Sequence, residues 1–435
     1  MPDPFHSFRV ISFGCRVNQT EGLALAERLR TLGLREVGPR GRADLILVNT
    51  CCVTAEAARQ GRQRVRKALR RGAAIAVTGC AAHPASGDAG LRSLDGLLVL
   101  EADKDRLVLL LQEAGYVPHD VENRTGKTTG GVGVSQPRSR AMLKVQDGCP
   151  GGCAYCIVPK VRPEVRSVPL DQVVRRARAL VAEGFREIVL CGIHLGLYGT
   201  DLSAGITLAS LVARLLNVKG LGRLRLSSLS PAEASDALLR LLAAEPERLC
   251  PHLHLSLQSG DDGVLAAMGR PYTSREFLDT VERVRAAVEE PAITTDVLVG
   301  FPGESEEAFR RTLHVAREAR FSRMHIFPFS RRPGTCAADM SGHVPAAVKR
   351  ERRQRANELG EELAEAYRHG LVGREERVVL ETLYPDGSAE GLAARYVRVK
   401  IPGSLPAGAG RRDIVPVRLV RAVPDAIEAE PRADA

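Results

Sequence analysis

The first hundred residues alternate short apolar runs with stretches whose apolar positions recur every three or four residues. Phe8-Arg-Val-Ile-Ser-Phe-Gly14 reads as a strand, and Leu25, Leu29 and Leu32 after it share one helical face. A second strand, Ala43 to Thr50, precedes a helix from Ala55 to Arg71, and a third strand runs from Ala73 to Gly79. This βαβαβ order predicts a parallel sheet with right-handed crossovers. The alternation resumes at Ala141 with strands predicted at 141–147, 186–192, 223–229, 252–258, 292–300 and 323–330. Helices are expected between them at 170–183, 208–216, 232–244, 274–288 and 305–319. Six β/α repeats fall short of a full eight-fold barrel, so an open, partial barrel is expected, with its site at the carboxyl ends of the strands. A helix is predicted from Ala346 to Tyr367. Beyond it, Tyr396–Ile401 and Ile414–Val420 alternate as half-buried strands, with Arg398, Lys400 and Arg418 facing out. The fold class is α/β, divided into a Rossmann-like domain (1–122), a linker rich in Gly, Ser, Thr and basic residues (123–140), the partial barrel (141–368), a small β-rich domain (369–425) and a disordered tail (426–435).

The strand ends carry the chemistry. Cys15, Cys51 and Cys80 follow the first three strands, so a parallel sheet brings them to one edge, where open α/β sheets bind ligands. Small cysteines also serve as packing at such positions, and Cys52 competes with Cys51 for the role. After the first barrel strand comes Gly148-Cys-Pro-Gly-Gly-Cys-Ala-Tyr-Cys156, whose glycines let the backbone wrap closely round a metal centre. Its three cysteines, Cys149, Cys153 and Cys156, either leave one metal position open or borrow a distant ligand such as His194 or His254. Other strand ends, at Gly192, Ser256 to Gly260 and Val299 to Glu304, are glycine-rich and polar, suited to a polar cofactor. His252 and His254 read as ordinary barrel-interior residues.

No run approaches the roughly 18 apolar residues of a membrane span, and MPDPFHSFRV lacks the features of a signal peptide, so a cytoplasmic protein with no membrane partner is expected. In that compartment the ten cysteines point to metal or catalysis rather than disulfides. A net charge of +10 favours a polyanionic partner, and Arg59, Arg62, Arg66 and Arg70 share one helical face. With no Trp and few other aromatics, a stacking platform for long single strands is disfavoured.

The C-x3-C-x2-C set resembles the radical S-adenosylmethionine superfamily. Together with Phe13-Gly-Cys-Arg-Val-Asn18, Asn49-Thr-Cys-Cys-Val-Thr54, Val77-Thr-Gly-Cys80, Leu255-Ser-Leu-Gln-Ser-Gly260, Arg270-Pro-Tyr-Thr273, Thr294 to Glu304 and Phe327 to Thr335, nearly the whole chain is similar to the methylthiotransferase family. The G-C-R-V-N wording and Lys144-Val-Gln-Asp-Gly-Cys149 look like the branch acting on N6-threonylcarbamoyladenosine at position 37 of tRNA. Sister branches act on isopentenyladenosine and on a ribosomal-protein aspartate. The resemblance implies two [4Fe–4S] clusters, one on Cys149, Cys153 and Cys156 and a second on Cys15, Cys51 and Cys80, each with one iron left open. It further implies S-adenosylmethionine as radical source and methyl donor, bordered by Gly192, Ser256, Gln258 and Gly300. A deoxyadenosyl radical would take hydrogen from C2 of the adenine, and sulfur from the second cluster would be inserted there. Implied partners are the tRNA anticodon loop, gripped by a TRAM-like C-terminal domain, a flavodoxin- or ferredoxin-like electron donor, and a sulfur donor. The family commonly reads I-I-P-x-x-R-G after the third loop cysteine, whereas here Pro163 follows Arg162, which puts the local loop shape in doubt. A zinc-stabilised RNA-binding protein without catalysis is the alternative of another class.

Overall fold

The computed structural model describes residues 5–118, 138–403 and 405–432. Most of the expected linker, up to residue 137, lies outside that range. The described chain forms two compact units: residues 5–118 with 147–165 and 330–338, and residues 138–146, 166–329 and 339–432 apart from residue 404. The three-cysteine loop, expected as part of the barrel domain, belongs to the first unit.

The first unit holds a parallel sheet in the order β2-β1-β3-β4-β5, from β1 (Ser7–Ser12), β2 (Arg35–Glu36), β3 (Leu45–Thr50), β4 (Ala74–Gly79) and β5 (Leu97–Leu100). Every residue of β3 is buried, as a central strand covered on both faces requires. The helix Ala55–Leu69 starts where the Thr54 hydroxyl accepts the Ala57 N–H. Its arginine stripe does not stay free. Arg62 is paired with Asp88 at 2.8 Å and Arg59 with Glu56 at 2.5 Å, while Arg66 and Arg70 remain exposed.

In the second unit, β6 (Ala141–Lys144) is followed by the short strands β7 (Gln146–Asp147) and β8 (Arg166–Ser167). The other barrel strands are β9 (Glu187–Cys191), β10 (Arg223–Leu226), its continuation β11 (Ser228–Leu229), β12 (His252–Leu255), β13 (Ala292–Val299) and β14 (Arg323–Pro328). They form two parallel sheets, β10-β9-β6 and β11-β12-β13-β14, hinged where β10 passes into β11. This is the expected six-fold partial barrel. Leu253, Leu255, Ile293 and Val297 face the helical layer, with Met324 and Ile326 packed against it. Strand alternation therefore turns His254, Asp296 and His325 to the concave side.

The C-terminal domain is a closed barrel in the order β15-β16-β17-β19-β18, from β15 (Glu375–Leu383), β16 (Ala389–Ala393), β17 (Arg398–Ile401), β18 (Ile414–Val423) and β19 (Ala426–Pro431). The expected tail at 426–435 is corrected here. Ala426–Pro431 pairs with both β17 and β18 and buries Ile427 and Ala429 in the barrel core, so tertiary pairing overrides a charged, weakly β-forming sequence. Residues 433–435 lie outside the described range. Arg398, Lys400 and Arg418 are exposed, as expected.

Candidate active site

In the first unit β1, β3 and β4 are neighbours, and Cys51 and Cys80 directly follow β3 and β4. Cys15 lies three residues past β1, at the N-cap of the helix Arg16–Thr31. Asn18 and Asn49 lock this edge. Asn18 Nδ2 donates to the carbonyls of Phe13 (2.7 Å), Asn49 (3.3 Å) and Thr50 (3.1 Å), and Asn49 Nδ2 donates to the Asn18 carbonyl at 2.6 Å. Two glycines are obligatory. A Cβ on Gly14 (φ +84) would sit 2.4 Å from Cys51 Sγ, and one on Gly79 (φ +93) would sit 2.3 Å from the Thr50 carbonyl oxygen.

The thiols act on one another. Burial pushes Cys51 up to about 11, and the charges of Cys80 and Cys15 act in the same direction. Cys52 packs in the apolar cluster of Val65, Ile75 and Val77 and donates its S–H to Cys80. That hydrogen bond favours the Cys80 thiolate, with help from the Arg162 guanidinium, and lowers its pKa despite burial. Both neighbours at 51 and 52 thus reach the site by different routes: Cys51 stands against Gly14, and Cys52 comes from the core side against Cys80.

The donor set suits an iron–sulfur cluster. Arg332, 8% exposed, keeps Nε and Nη2 without a hydrogen-bond partner, and its charge bears on Cys52 and Cys51. A buried guanidinium with unused donors beside several thiols matches an anionic group held there.

The second set is held differently. Cys149, Cys153 and Cys156 are half-buried on a loop pinned by three backbone hydrogen bonds: Cys149 N–H to the Arg162 carbonyl (2.9 Å), Cys156 N–H to the Cys153 carbonyl (3.0 Å) and Ala337 N–H to the Ala154 carbonyl (2.8 Å). The Gly151 N–H points at Cys149 Sγ at 3.4 Å, the kind of donor that ligating thiolates take. Ile157 and Val161 anchor the loop in the same apolar cluster as Val48 and Val77. Pro163 leaves this closure intact, because the Cys149 N–H is bonded to the Arg162 carbonyl and no N–H at 163 is called on; the chain turns at Gly148 (φ +78). A Cβ there would lie 1.7 Å from the Glu164 carbonyl oxygen. Gly148→Ala is therefore expected to destabilise the loop by about 1–3 kcal/mol and to lower the iron bound per chain after anaerobic reconstitution. Thermal unfolding and iron analysis of wild type and variant check this.

In the second unit the four residues expected to border S-adenosylmethionine all lie at carboxyl ends of barrel strands. Gly192 follows β9 and leaves no room for a Cβ, which would meet Gln146 Oε1 at 2.8 Å. Ser256 Oγ is 3.0 Å from Ser228 Oγ. Gln258 adopts φ 68, its N–H bonded to the Asp296 carbonyl at 2.8 Å. Gly300 (φ +75) donates its N–H to Glu304 Oε2 at 2.7 Å, and the Lys349 side chain crosses where its Cβ would be. The two histidines weighed as distant metal ligands are engaged with carboxylates, His194 Nε2 with Glu233 at 2.5 Å and His254 Nε2 with Asp296 at 3.3 Å.

Sequence reasoning missed the side-chain clusters inside this barrel. Asp296 is held between His254 and His325 (3.3 Å each), which keep its carboxyl well below the usual range against the opposing effect of burial. The signal was present in the H-x-H, T-x-D and R-x-H alternation of three adjacent strands. Glu187, Arg223 and Arg225 are fully buried. Their ion pairs at 2.6 and 2.8 Å free the remaining guanidinium donors to bind carbonyls of Arg377, Leu392, Ala393 and Ala394 in the C-terminal barrel.

A partial β/α barrel with a C-x3-C-x2-C loop after its first strand defines a radical S-adenosylmethionine enzyme, and the radical SAM superfamily model matches residues 143–316. A model described as "Uncharacterized protein family UPF0004" matches residues 7–93. The threonylcarbamoyladenosine tRNA methylthiotransferase MtaB of Thermotoga maritima is 35% identical over 413 residues, 91% of each chain. The tRNA-2-methylthio-N(6)-dimethylallyladenosine synthase of Sphingopyxis alaskensis is 36% identical over 444 residues, 98% of this chain and 97% of that one. Among solved structures, the radical S-adenosylmethionine methyltransferase TsrM of Kitasatospora setae superposes with a TM-score of 0.51 at 14% identity, over 76% of this chain and 74% of that one, which shows a shared fold. The chain belongs to the radical SAM tRNA methylthiotransferase family. With that membership come S-adenosylmethionine and a [4Fe–4S] cluster.

Proposed function

We propose that the protein inserts a methylthio group at C2 of N6-threonylcarbamoyladenosine at position 37 of tRNA, with Cys149, Cys153 and Cys156 holding one cluster and Cys15, Cys51 and Cys80 a second. The observation that carries the two-cluster reading is the convergence of three thiols, from the ends of three adjacent strands, beside a buried arginine with unused donors. The choice of nucleoside is supported by the G-C-R-V-N wording and by the relatives from Thermotoga maritima and Bacillus subtilis, the latter 33% identical over 414 residues and also a threonylcarbamoyladenosine enzyme. A second reading, the same chemistry on dimethylallyladenosine, is favoured by the Sphingopyxis alaskensis relative.

When bound, the clusters and S-adenosylmethionine supply the radical, the sulfur and the methyl group. The chain's own residues do the holding and orienting. Gly192, Ser256, Gln258 and Gly300 offer backbone and short polar groups at the strand ends to the nucleoside and amino-acid parts of S-adenosylmethionine. The glycines admit close approach. Arg398, Lys400 and Arg418 on the C-terminal barrel grip tRNA phosphates, which position the substrate, while an unpaired anticodon-loop base carries the selectivity. An electron donor of the flavodoxin or ferredoxin class and a sulfur donor complete the cycle in the cytoplasm.

Mass spectrometry of tRNA nucleosides from a deletion strain tests the substrate. The methylthio form of threonylcarbamoyladenosine disappears if the reading is right. Its persistence, with loss of methylthio-isopentenyladenosine instead, transfers the function to the second reading. Replacing Arg398, Lys400 and Arg418 with Ala is expected to weaken tRNA binding and to flatten its salt dependence by about one unit of slope for each phosphate no longer neutralised, measured by binding titrations at several salt concentrations.

A further inference from the structure

Arg162 stood out in the sequence only because Pro163 follows it. In the structure its side chain is 10% exposed and reaches three acceptors within the first unit. Nη1 and Nη2 meet the two oxygens of Glu21 at 2.8 Å each, and Nη1 also meets Asp147 at 2.7 and 2.8 Å. Nε donates to Cys80 Sγ at 3.3 Å. The carbonyl of the same residue accepts the Cys149 N–H at 2.9 Å. Arg162 therefore touches one cysteine of each triplet, by its side chain in one case and its backbone in the other. Lys104 Nζ joins the network at Glu21, 2.9 Å away.

The shape of the group matters. A planar fork fixed by two carboxylates has little freedom left, so its Nε–H stays aimed at the sulfur. A lysine would bring only a point charge. An N–H donated to a ligating thiolate withdraws electron density from a cluster and raises its reduction potential, and donors of this kind behind the ligands also orient them.

We propose that Arg162 is a positioning residue of the second cluster: clamped by Glu21 and Asp147, it orients the Cys80 sulfur and raises the reduction potential of the group held by Cys15, Cys51 and Cys80. This inference rests on the two-cluster reading above. The test uses the full chain with Cys149, Cys153 and Cys156 all replaced by Ala, reconstituted anaerobically so that only the second cluster remains. Iron per chain is measured first, and then the midpoint potential by an EPR-monitored redox titration, with Arg162→Gln and Arg162→Lys added in turn. About four irons per chain are expected in each. The midpoint should fall with Arg162→Gln and be partly restored with Arg162→Lys. An unchanged midpoint at full iron content overturns the proposal. Should Arg162→Gln fail to hold iron, Arg162→Lys decides. It keeps the positive charge but loses the fixed Nε–H, so the midpoint should lie below that of the protein with Arg162 intact, and no shift overturns the proposal. Absence of iron from the triple-Ala protein itself would overturn the two-cluster reading and the inference with it.

Discussion

Cys153→Ala is expected to abolish cleavage of S-adenosylmethionine, whereas Cys51→Ala leaves cleavage intact and stops methylthiolation. Each variant should retain about four irons per chain where the wild type holds about eight. The two triplets sit on different stretches of backbone, one on a loop pinned by backbone hydrogen bonds and the other at the ends of three strands, with Arg162 and one apolar cluster shared between them, so replacing one thiol leaves the backbone that carries the other triplet in place. The measurement pairs iron analysis with chromatography of 5′-deoxyadenosine and of tRNA nucleosides. Intact methylthiolation in Cys51→Ala would move the ligand role to Cys52, whose thiol also reaches Cys80. Zinc in place of iron in the wild type would leave only the non-catalytic RNA-binding alternative.

Glu187→Gln should be the most damaging single change away from the cysteines. It leaves Arg223 and Arg225 buried without their counter-charge, at an expected cost of about 3–5 kcal/mol, read from urea unfolding of the full chain. The pH dependence carries a definite sign. Against the opposing effect of burial, the two arginines hold Glu187 down at about 2, below the ordinary glutamate value of about 4.3. A depressed carboxyl stabilises the fold fully above its ordinary pKa, and that stability drains away as the pH falls toward 2. The shift is worth about 3 kcal/mol. The gap between wild type and Glu187→Gln should thus be wide at pH 7 and narrow markedly by pH 3. An equal gap at both values would show that the carboxylate charge is not what holds the pair of arginines.

The element plan and both cysteine triplets were legible in the sequence, because each rests on short-range pattern. An apolar run ending in cysteine marks a strand end wherever the strand goes in the sheet, and three cysteines within one short loop stay together in any fold. Three strands of the C-terminal barrel were not legible. Ala389–Ala393 and Ala426–Pro431 are rich in Glu and Ala, which form strands poorly in isolation, and Glu375–Leu383 sets its short Val-Val-Leu run between glutamates. They become strands only because a closing barrel offers each a partner on both sides.

What the sequence by itself determined is the parallel α/β plan, the six cysteines at strand and loop ends, and membership of a tRNA-modifying radical enzyme family. What tertiary structure alone decided is which groups meet across long separations: Asn18 with Asn49, Cys52 with Cys80, Arg162 with Glu21 and Cys80, and Arg223 and Arg225 with carbonyls more than 150 residues away. The physical reason is that periodicity reports only which face of an element is buried. The partner of a buried polar group depends on how those faces come together, and no local pattern encodes that.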